Sequence, residues 1–244
     1  LSLFVIDGMA YWQYLMLKDL LAEKAIEPVE NISYAWMPSI TKLSRQALFR
    51  GDMPKGSYVQ NPSNESKLWN EFWIKHKVPS YLVNYEYNGS IVNPERYTKY
   101  GYVTTSLDSH MHGCRDLKDL YDLTNNRLLE IVPEIMNLHN AGYTIYITAD
   151  HGNVYSHAWR ALNAQEKAML YTNESRGGRH MIFTKEEHLQ FFFHENPGLT
   201  DDMYIHDNYA VWRTAKCFKG ENEVTHGGCH FLEMIVPFAK IEKK

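Results

Sequence analysis

The run Tyr143-Thr-Ile-Tyr-Ile-Thr148 constrains the fold of this chain more than any other stretch. Every residue in it is β-branched or aromatic, the make-up of a buried strand. Gly142 precedes it, and Asp150-His151-Gly152 closes it. Glycine punctuates a run, so a strand starts and stops here. Open α/β sheets collect their ligands at the carboxyl ends of strands, which makes Asp150 and His151 candidate metal ligands. Two adjacent residues do not make a site, and their partners have to come from elsewhere in the chain.

The same grammar of apolar run, acid and glycine opens the chain. Leu3 to Ile6 is short and continuously apolar, as in a parallel strand buried on both faces, and Asp7-Gly8 follows. Asp7 also suits a turn or a helix N-cap. A helix is expected from about Met9 to Lys24, with its stripe at Leu15, Leu17, Leu20 and Leu21. Pro38 holds the residue before it extended, and a helix then starts at Thr41, with Leu43, Ala47 and Leu48 on one side. Gly51 and Pro54 stop it. Thr41 is an N-cap, or else a hydroxyl placed where a helix N-terminus favours a phosphate or an alkoxide. The β-type run from Tyr102 ends in Asp108-Ser-His110-Met-His112. A spacing of four puts Asp108 and His112 on one face of a helical turn; His110 would point elsewhere on a turn, or to the same side on a strand. Near the end, Gly227-Gly228 lets the backbone come close beside His226. His226 becomes a ligand only if the earlier groups converge with it.

Between these stretches, residues 55–75 read as irregular, with a loop over Asn61-Pro-Ser-Asn64 and a short helix at Trp69 to Trp73. A strand is expected over Val78 to Tyr85 and a turn at Asn88-Gly89. A long helix spans Leu117 to Asn140, kinked at Pro133. Ala158 to Leu170 reads as a helix, and strands fall within His180 to Thr184 and Asn208 to Phe218. A short helix from Cys229 and a closing strand near Val236 complete the chain. Arg176, Arg179 and Arg213 are candidate anion contacts.

Composition narrows the class. The 244 residues, 44% hydrophobic, suffice for one large domain. A net charge of −4 gives no support for a generic basic nucleic-acid surface. Twelve histidines are many, and histidine is the commonest metal ligand. The three cysteines are widely spaced, which argues against a disulfide framework and fits a reducing cytoplasm. No apolar run has the length of a membrane span. The chain opens on a core strand without Met or a signal segment, as expected of a domain cut from a longer protein.

The order Asp7, Thr41, Asp108/His112, Asp150/His151, His226 resembles the alkaline phosphatase superfamily. The phrases Val5-Ile-Asp-Gly8, Pro38-Ser-Ile-Thr41, Thr148-Ala-Asp-His-Gly152 and Thr225-His-Gly-Gly228, with Glu233-Met-Ile-Val-Pro237 behind them, resemble its PglZ-domain branch. The likeness runs from Asp7 to Pro237. It implies an α/β three-layer sandwich with a mostly parallel central sheet and helices on both faces, as a single domain over residues 1–244. It implies two divalent ions, zinc or else manganese. Asp7, Asp150, His151 and the Thr41 hydroxyl would hold one, and Asp108, His112 and His226 the other. His110 competes for the second ion, but the family pattern of Asp, three residues, His favours His112. Thr41 would be the nucleophile of a phosphodiesterase or phosphatase acting on nucleotide or oligonucleotide esters. Arg179, His110 and His230 are the candidate substrate contacts. The branch occurs in bacterial phage-defence (BREX-type) and signalling proteins, so flanking domains or defence components are the expected partners, in the cytoplasm. A phosphotransferase or phosphomutase, and a partner-binding module without activity, are the alternatives.

Overall fold

The structure, a computed structural model, describes residues 1–171 and 178–243. Strand β1 (Ser2–Ile6) alternates its side chains: Phe4 and Ile6 face one helical layer, Val5 the other, and all three are fully buried. It pairs in parallel with β4 (Lys99–Thr104) and β5 (Ile145–Thr148), and β4 pairs in parallel with β3 (Val83–Tyr87). Beyond β5 lies β12 (Ile235–Ile241), antiparallel both to β5 and to the edge strand β2 (Ile32–Tyr34). The six strands run β2-β12-β5-β1-β4-β3, a mostly parallel sheet with an antiparallel flank.

Helices cover both faces. On one, α1 (Tyr11–Ala22) brings Tyr14, Leu17 and Leu21, and α5 (Leu117–Asn140) brings Leu128, Ile131 and Ile135, against Phe4 and Ile147. On the other, Phe49 of α2 (Thr41–Arg50) and Trp69 of α3 (Pro62–Lys75) pack on Val5 and Val103. The three-layer arrangement implied by the resemblance is the one observed.

The chain between β5 and β12 adds two small sheets. One joins β10 (Lys216–Cys217), β6 (Val154–Ala158) and β11 (Glu223–Thr225); the other orders β7 (His180–Ile182), β9 (Tyr209–Trp212) and β8 (Met203–His206). With α6 (Ala164–Ala168) and α7 (Glu186–Glu195) they enclose a separate core that includes Met181, Phe183, Phe192, Trp212 and Phe218. Single helical turns, α4 (Asp108–Met111) and α8 (Phe231–Met234), sit at the sheet's edge.

Two expectations about helices change. The loop over residues 61–64 is the start of α3: the Asn61 side chain accepts from the Asn64 backbone N–H, and Pro62 takes the first helical turn, where a missing N–H is harmless. Asn-Pro here is a start signal. The helix expected over Ala158 to Leu170 is shorter, because β6 extends to Ala158 and the helix begins only after Asn163 and Glu166 form a capping box. The long helix keeps its bounds and runs on through Pro133. Arg176 lies outside the described residues. Among the described residues, no helix is long and apolar enough to cross a membrane.

Ile135 is fully buried between α5 and the sheet. Ile135→Ala is expected to lower stability by about 2–5 kcal/mol, seen as a lower urea midpoint at unchanged slope.

Candidate metal centre

Parallel pairing of β1 with β4 and β5 brings three strand ends to one edge, and each is followed by an acid: Asp7, Asp108 and Asp150. The turn after β1 needs Gly8, whose φ of 73° is left-handed. Its N–H donates to Asp150 Oδ1 at 3.1 Å, tying the two strand ends together. Behind them a buried amide pair holds the backbone. Asn153 Nδ2 donates to the Gly8 carbonyl and to Gln13 Oε1, both at 2.7 Å, and Gln13 Nε2 donates to Thr124 Oγ1 at 2.9 Å. Gly152 has no room for a side chain, since a Cβ there would lie 2.0 Å from the Leu232 carbonyl oxygen.

The remaining groups arrive from α2, α4 and β11. Thr41 Oγ1 at the start of α2 is 3.1 Å from His151 Nε2. That nitrogen is 3.5 Å from Asp7 Oδ1 and 3.8 Å from Asp150 Oδ2. Asp108 Oδ1 lies 3.4 Å from His112 Nε2 and 3.6 Å from His226 Nε2. The His151 and His226 rings stack with centroids 3.8 Å apart. Two groups result, Asp7/Asp150/His151 and Asp108/His151/His226, and in each the ligand atoms lie within 4.8 Å of one another. His112 joins the second group through Asp108. All seven residues expected around the ions therefore meet in one place.

Five of these side chains are anchored by one atom and offer another inward. Asp150 Oδ1 accepts from the N–H of Gly8 and from that of His151 at 3.0 Å, while its Oδ2 is buried without a hydrogen-bond donor. Asp7 Oδ2 accepts from Arg45 Nη1 at 2.8 Å, and its Oδ1 is likewise buried without a donor. The Nδ1 atoms of His151, His226 and His112 contact the carbonyls of Gly152 (2.9 Å), Ser39 (3.0 Å) and Val224 (2.9 Å). A carbonyl only accepts, so each Nδ1 carries the proton and each Nε2 presents its lone pair. Burial pushes the Asp7 carboxyl well above its usual range, with Asp150 and Asp108 adding to the rise. Burial likewise pushes Asp150 up to about 6, and it lowers His226 well below the usual imidazole value. Crowded carboxylates beside imidazole nitrogens, with orphaned oxygens aimed inward, fit a divalent cation.

Sequence reasoning missed two residues of this site. Arg45, one turn along α2 from Thr41, is buried and spans from Asp7 to Glu65, donating Nε and Nη2 to the Glu65 oxygens at 2.7 and 2.8 Å. Glu65 is fully buried on α3 and also receives the Tyr85 hydroxyl. The i+4 step from Thr41 was a usable signal for Arg45; reading residues 61–64 as a loop concealed Glu65. A cleft of about 420 Å³ opens over the group, lined by Thr41, Lys42, Arg45, Asp7, Asp108 and His226.

The structure gives Arg179 another task than the anion contact expected of it. It is fully buried, pairs with Glu233 (Nε to Oε1, 3.1 Å) and donates Nη1 to the Thr214 carbonyl at 2.8 Å. Its charge is engaged by Glu233 and its donors by backbone, so it stays away from the cleft. Arg213 is exposed and donates to the Asp201 carbonyl. His230 caps α8, its Nδ1 accepting from the Leu232 N–H at 3.3 Å. His110 lies exposed on the outside of α4 with its ring on the Ser106 carbonyl at 2.8 Å, which leaves His112 as the histidine that meets Asp108.

Two outcomes follow. Arg179→Met strands the buried Glu233 carboxylate and is expected to cost about 3–5 kcal/mol in urea unfolding while leaving the metal content of the folded protein unchanged. Folded Asp150 keeps its proton to about 6, against 3.8 when unfolded. In that window the folded state binds more protons, so metal-free protein loses stability as pH rises through it, by about 3 kcal/mol from this residue. Thermal melts from about pH 4 to 7 should show the fall. Asp150→Asn should flatten it, and an equal slope in the variant would contradict the crowding described here.

No curated protein matches the chain in sequence. Among solved structures, phosphonoacetate hydrolase from Sinorhizobium meliloti 1021 in complex with phosphonoformate superposes with a TM-score of 0.59 at 13% identity, over 100% of this chain and 90% of that one. Murine ectonucleotide pyrophosphatase/phosphodiesterase 5 superposes with a TM-score of 0.60 at 13% identity, over 100% and 88%. An inactive form of the murine protein, in complex with AMP, superposes with a TM-score of 0.58 at 11% identity, over 98% and 87%. At such identities the likeness establishes the fold alone. Residues 1–241 match the family of the BREX system PglZ alkaline phosphatase-like domain, and the chain belongs to that family.

Proposed function

We propose that this domain is a two-metal phosphodiesterase or phosphatase with Thr41 as nucleophile. Asp7, Asp150, His151 and Thr41 would hold one divalent ion, and Asp108, His112 and His226 the other; zinc suits the mixed carboxylate and imidazole donors, with manganese the harder alternative. When bound, the ions supply Lewis-acid stabilisation of the charge that builds on the attacking and leaving oxygens.

The observation that carries this reading is the position of the Thr41 hydroxyl. It stands at the N-terminus of α2, 3.1 Å from His151 Nε2, where both ligand groups meet the floor of an open cleft. A threonine hydroxyl is a poor nucleophile at neutral pH, and a helix N-terminus stabilises negative charge on it. Arg45 fixes Asp7 through Oδ2, and the backbone N–H groups of Gly8 and His151 fix Asp150 through Oδ1, so the inward oxygens stay aimed. Lys42 lines the same cleft and contributes positive charge beside the phosphoryl group. Thr41 Oγ gives up its proton to solvent and attacks phosphorus; the ester oxygen leaves on the far side and takes up a proton from solvent; water then cleaves the phospho-threonine, releasing the phosphate product and restoring the Thr41 hydroxyl.

A nucleotide or oligonucleotide diester is the favoured substrate. Family membership supports it, as does the fold shared with a nucleotide phosphodiesterase solved with AMP. The setting we infer is a cytoplasmic BREX-type defence or signalling protein, whose other domains or components would be the partners.

Thr41→Ala is expected to cut turnover of bis(p-nitrophenyl) phosphate about a thousandfold while two equivalents of metal and the melting temperature are retained. A parallel assay with p-nitrophenyl phosphate separates diesterase from monoesterase. A preparation with no bound metal and no Thr41-dependent turnover of either ester would end the enzyme reading.

A further inference from the structure

A second cleft, of about 390 Å³, adjoins the catalytic one on the other side of the first turn of α2. The two share Ile40 and Lys42, the residues on either side of Thr41. One wall of the second cleft is chain from residues 37–43: Met37, Pro38, Ile40 and Leu43. The other is one face of the β7-β9-β8 sheet, and the pairing register shows why that face is available. Tyr204 stands opposite Val211, and Tyr209 stands opposite both His206 and Ile182, so these five side chains point the same way. The alternate residues Met181, Met203, Ala210 and Trp212 turn inward and form the core beneath. Tyr204 and Tyr209 are left 40% and 38% exposed, and both line the cleft. A tight hairpin through Asp207, whose φ of 50° is left-handed, holds the two tyrosine-bearing strands in register.

The catalytic cleft is polar and charged, with Asp7, Asp108, Arg45 and Lys42 on its walls. Its neighbour is largely apolar and aromatic, and Lys42 stands at the join. A ligand spanning both has an anionic phosphoryl group at one end and a flat, mainly apolar body at the other. Clefts of about 300–1,000 Å³ with apolar walls and a few polar groups are ordinary small-ligand sites.

We propose that this second cleft is the subsite for one ester arm of the substrate, and that the arm is a nucleobase-sized aromatic group stacked against Tyr204 and Tyr209 with its phosphoryl group at Thr41. This rests on the phosphoesterase reading of the adjoining site. Stacking on tyrosine is tolerant of base identity, because every base offers a π-face, so the subsite selects an aromatic arm without selecting a sequence. His206, beside Tyr204 with ring centroids 6.3 Å apart, adds a polar edge at the rim.

The test uses metal-loaded Thr41→Ala protein, which separates binding from turnover. Calorimetry is run with adenosine and uridine 5′-monophosphates against ribose 5-phosphate, which keeps the phosphate and lacks the base. Both nucleotides are expected to bind about tenfold or more tightly than ribose 5-phosphate. Adding Tyr204→Ala and Tyr209→Ala is expected to erase that preference, and adding Tyr204→Phe and Tyr209→Phe to keep it, since phenylalanine preserves the stacking face. In protein with Thr41 intact, kcat/KM for thymidine 5′-(p-nitrophenyl phosphate) should exceed that for methyl p-nitrophenyl phosphate, and the double alanine variant should lose the ratio. Base preference in binding with no turnover of either ester would sustain the subsite and remove the phosphoesterase reading. Turnover without arm preference, equal binding of nucleotides and ribose 5-phosphate, or a preference that survives the double alanine variant would overturn the subsite.

Discussion

The carboxyl edge of this sheet depends on keeping Asp7, Asp108 and Asp150 close together inside the protein. Buried carboxylates repel one another and lose hydration, and most of the surrounding architecture answers that problem. Arg45 neutralises part of the charge through Asp7, and Glu65 keeps Arg45 in place from α3. Burial alone would expel Arg45, but its bonds to Asp7 and Glu65 raise its pKa instead, so it remains a guanidinium cation. The charge still left over is what a divalent cation would balance. Asp7 and Asp150 carry raised pKa values because they are buried close together, and such a setting favours positive charge beside them.

Division of labour follows from the same constraint. The parallel strands β1, β4 and β5 supply the acids, because parallel neighbours end on one edge whatever their separation in sequence. The chain added between β5 and β12 supplies His226 and the aromatic wall of the second cleft, on sheets with a core of their own. The acids come from the main sheet and the aromatic wall from the insertion, a division in which added chain can vary on a fixed scaffold. The buried Arg179–Glu233 pair belongs to this seam. Glu233 also accepts from the N–H of Gly228, so the pair braces the glycine turn that follows His226.

Local grammar exposed most of the site. Asp7-Gly8 and Asp150-His151-Gly152 each end an apolar run, and the four-residue step from Asp108 to His112 is the step observed on the turn that carries them. Those signals are short-range, set by strand period, turn chemistry and helical pitch, so they survive in one dimension. Arg45 and Glu65 meet across twenty residues and two helices, and neither has a local signature beyond the i+4 step from Thr41. Arg179 misled for the converse reason: residue type alone makes an arginine an anion candidate, and only its depth and the approach of Glu233 show that its charge is already engaged.

By itself, then, the sequence determined the parallel α/β frame, the long α5 helix and the identity of the ligand-type residues, because each follows from periodicity or punctuation within a few residues. Tertiary structure decided that His112 and not His110 meets Asp108, that Arg45 is the arginine at the site, and that Tyr204 and Tyr209 face a cleft beside Thr41. These outcomes depend on how α2, α3 and the inserted sheets pack on the main sheet. Packing is a property of surfaces brought together from distant segments, and no local pattern encodes it.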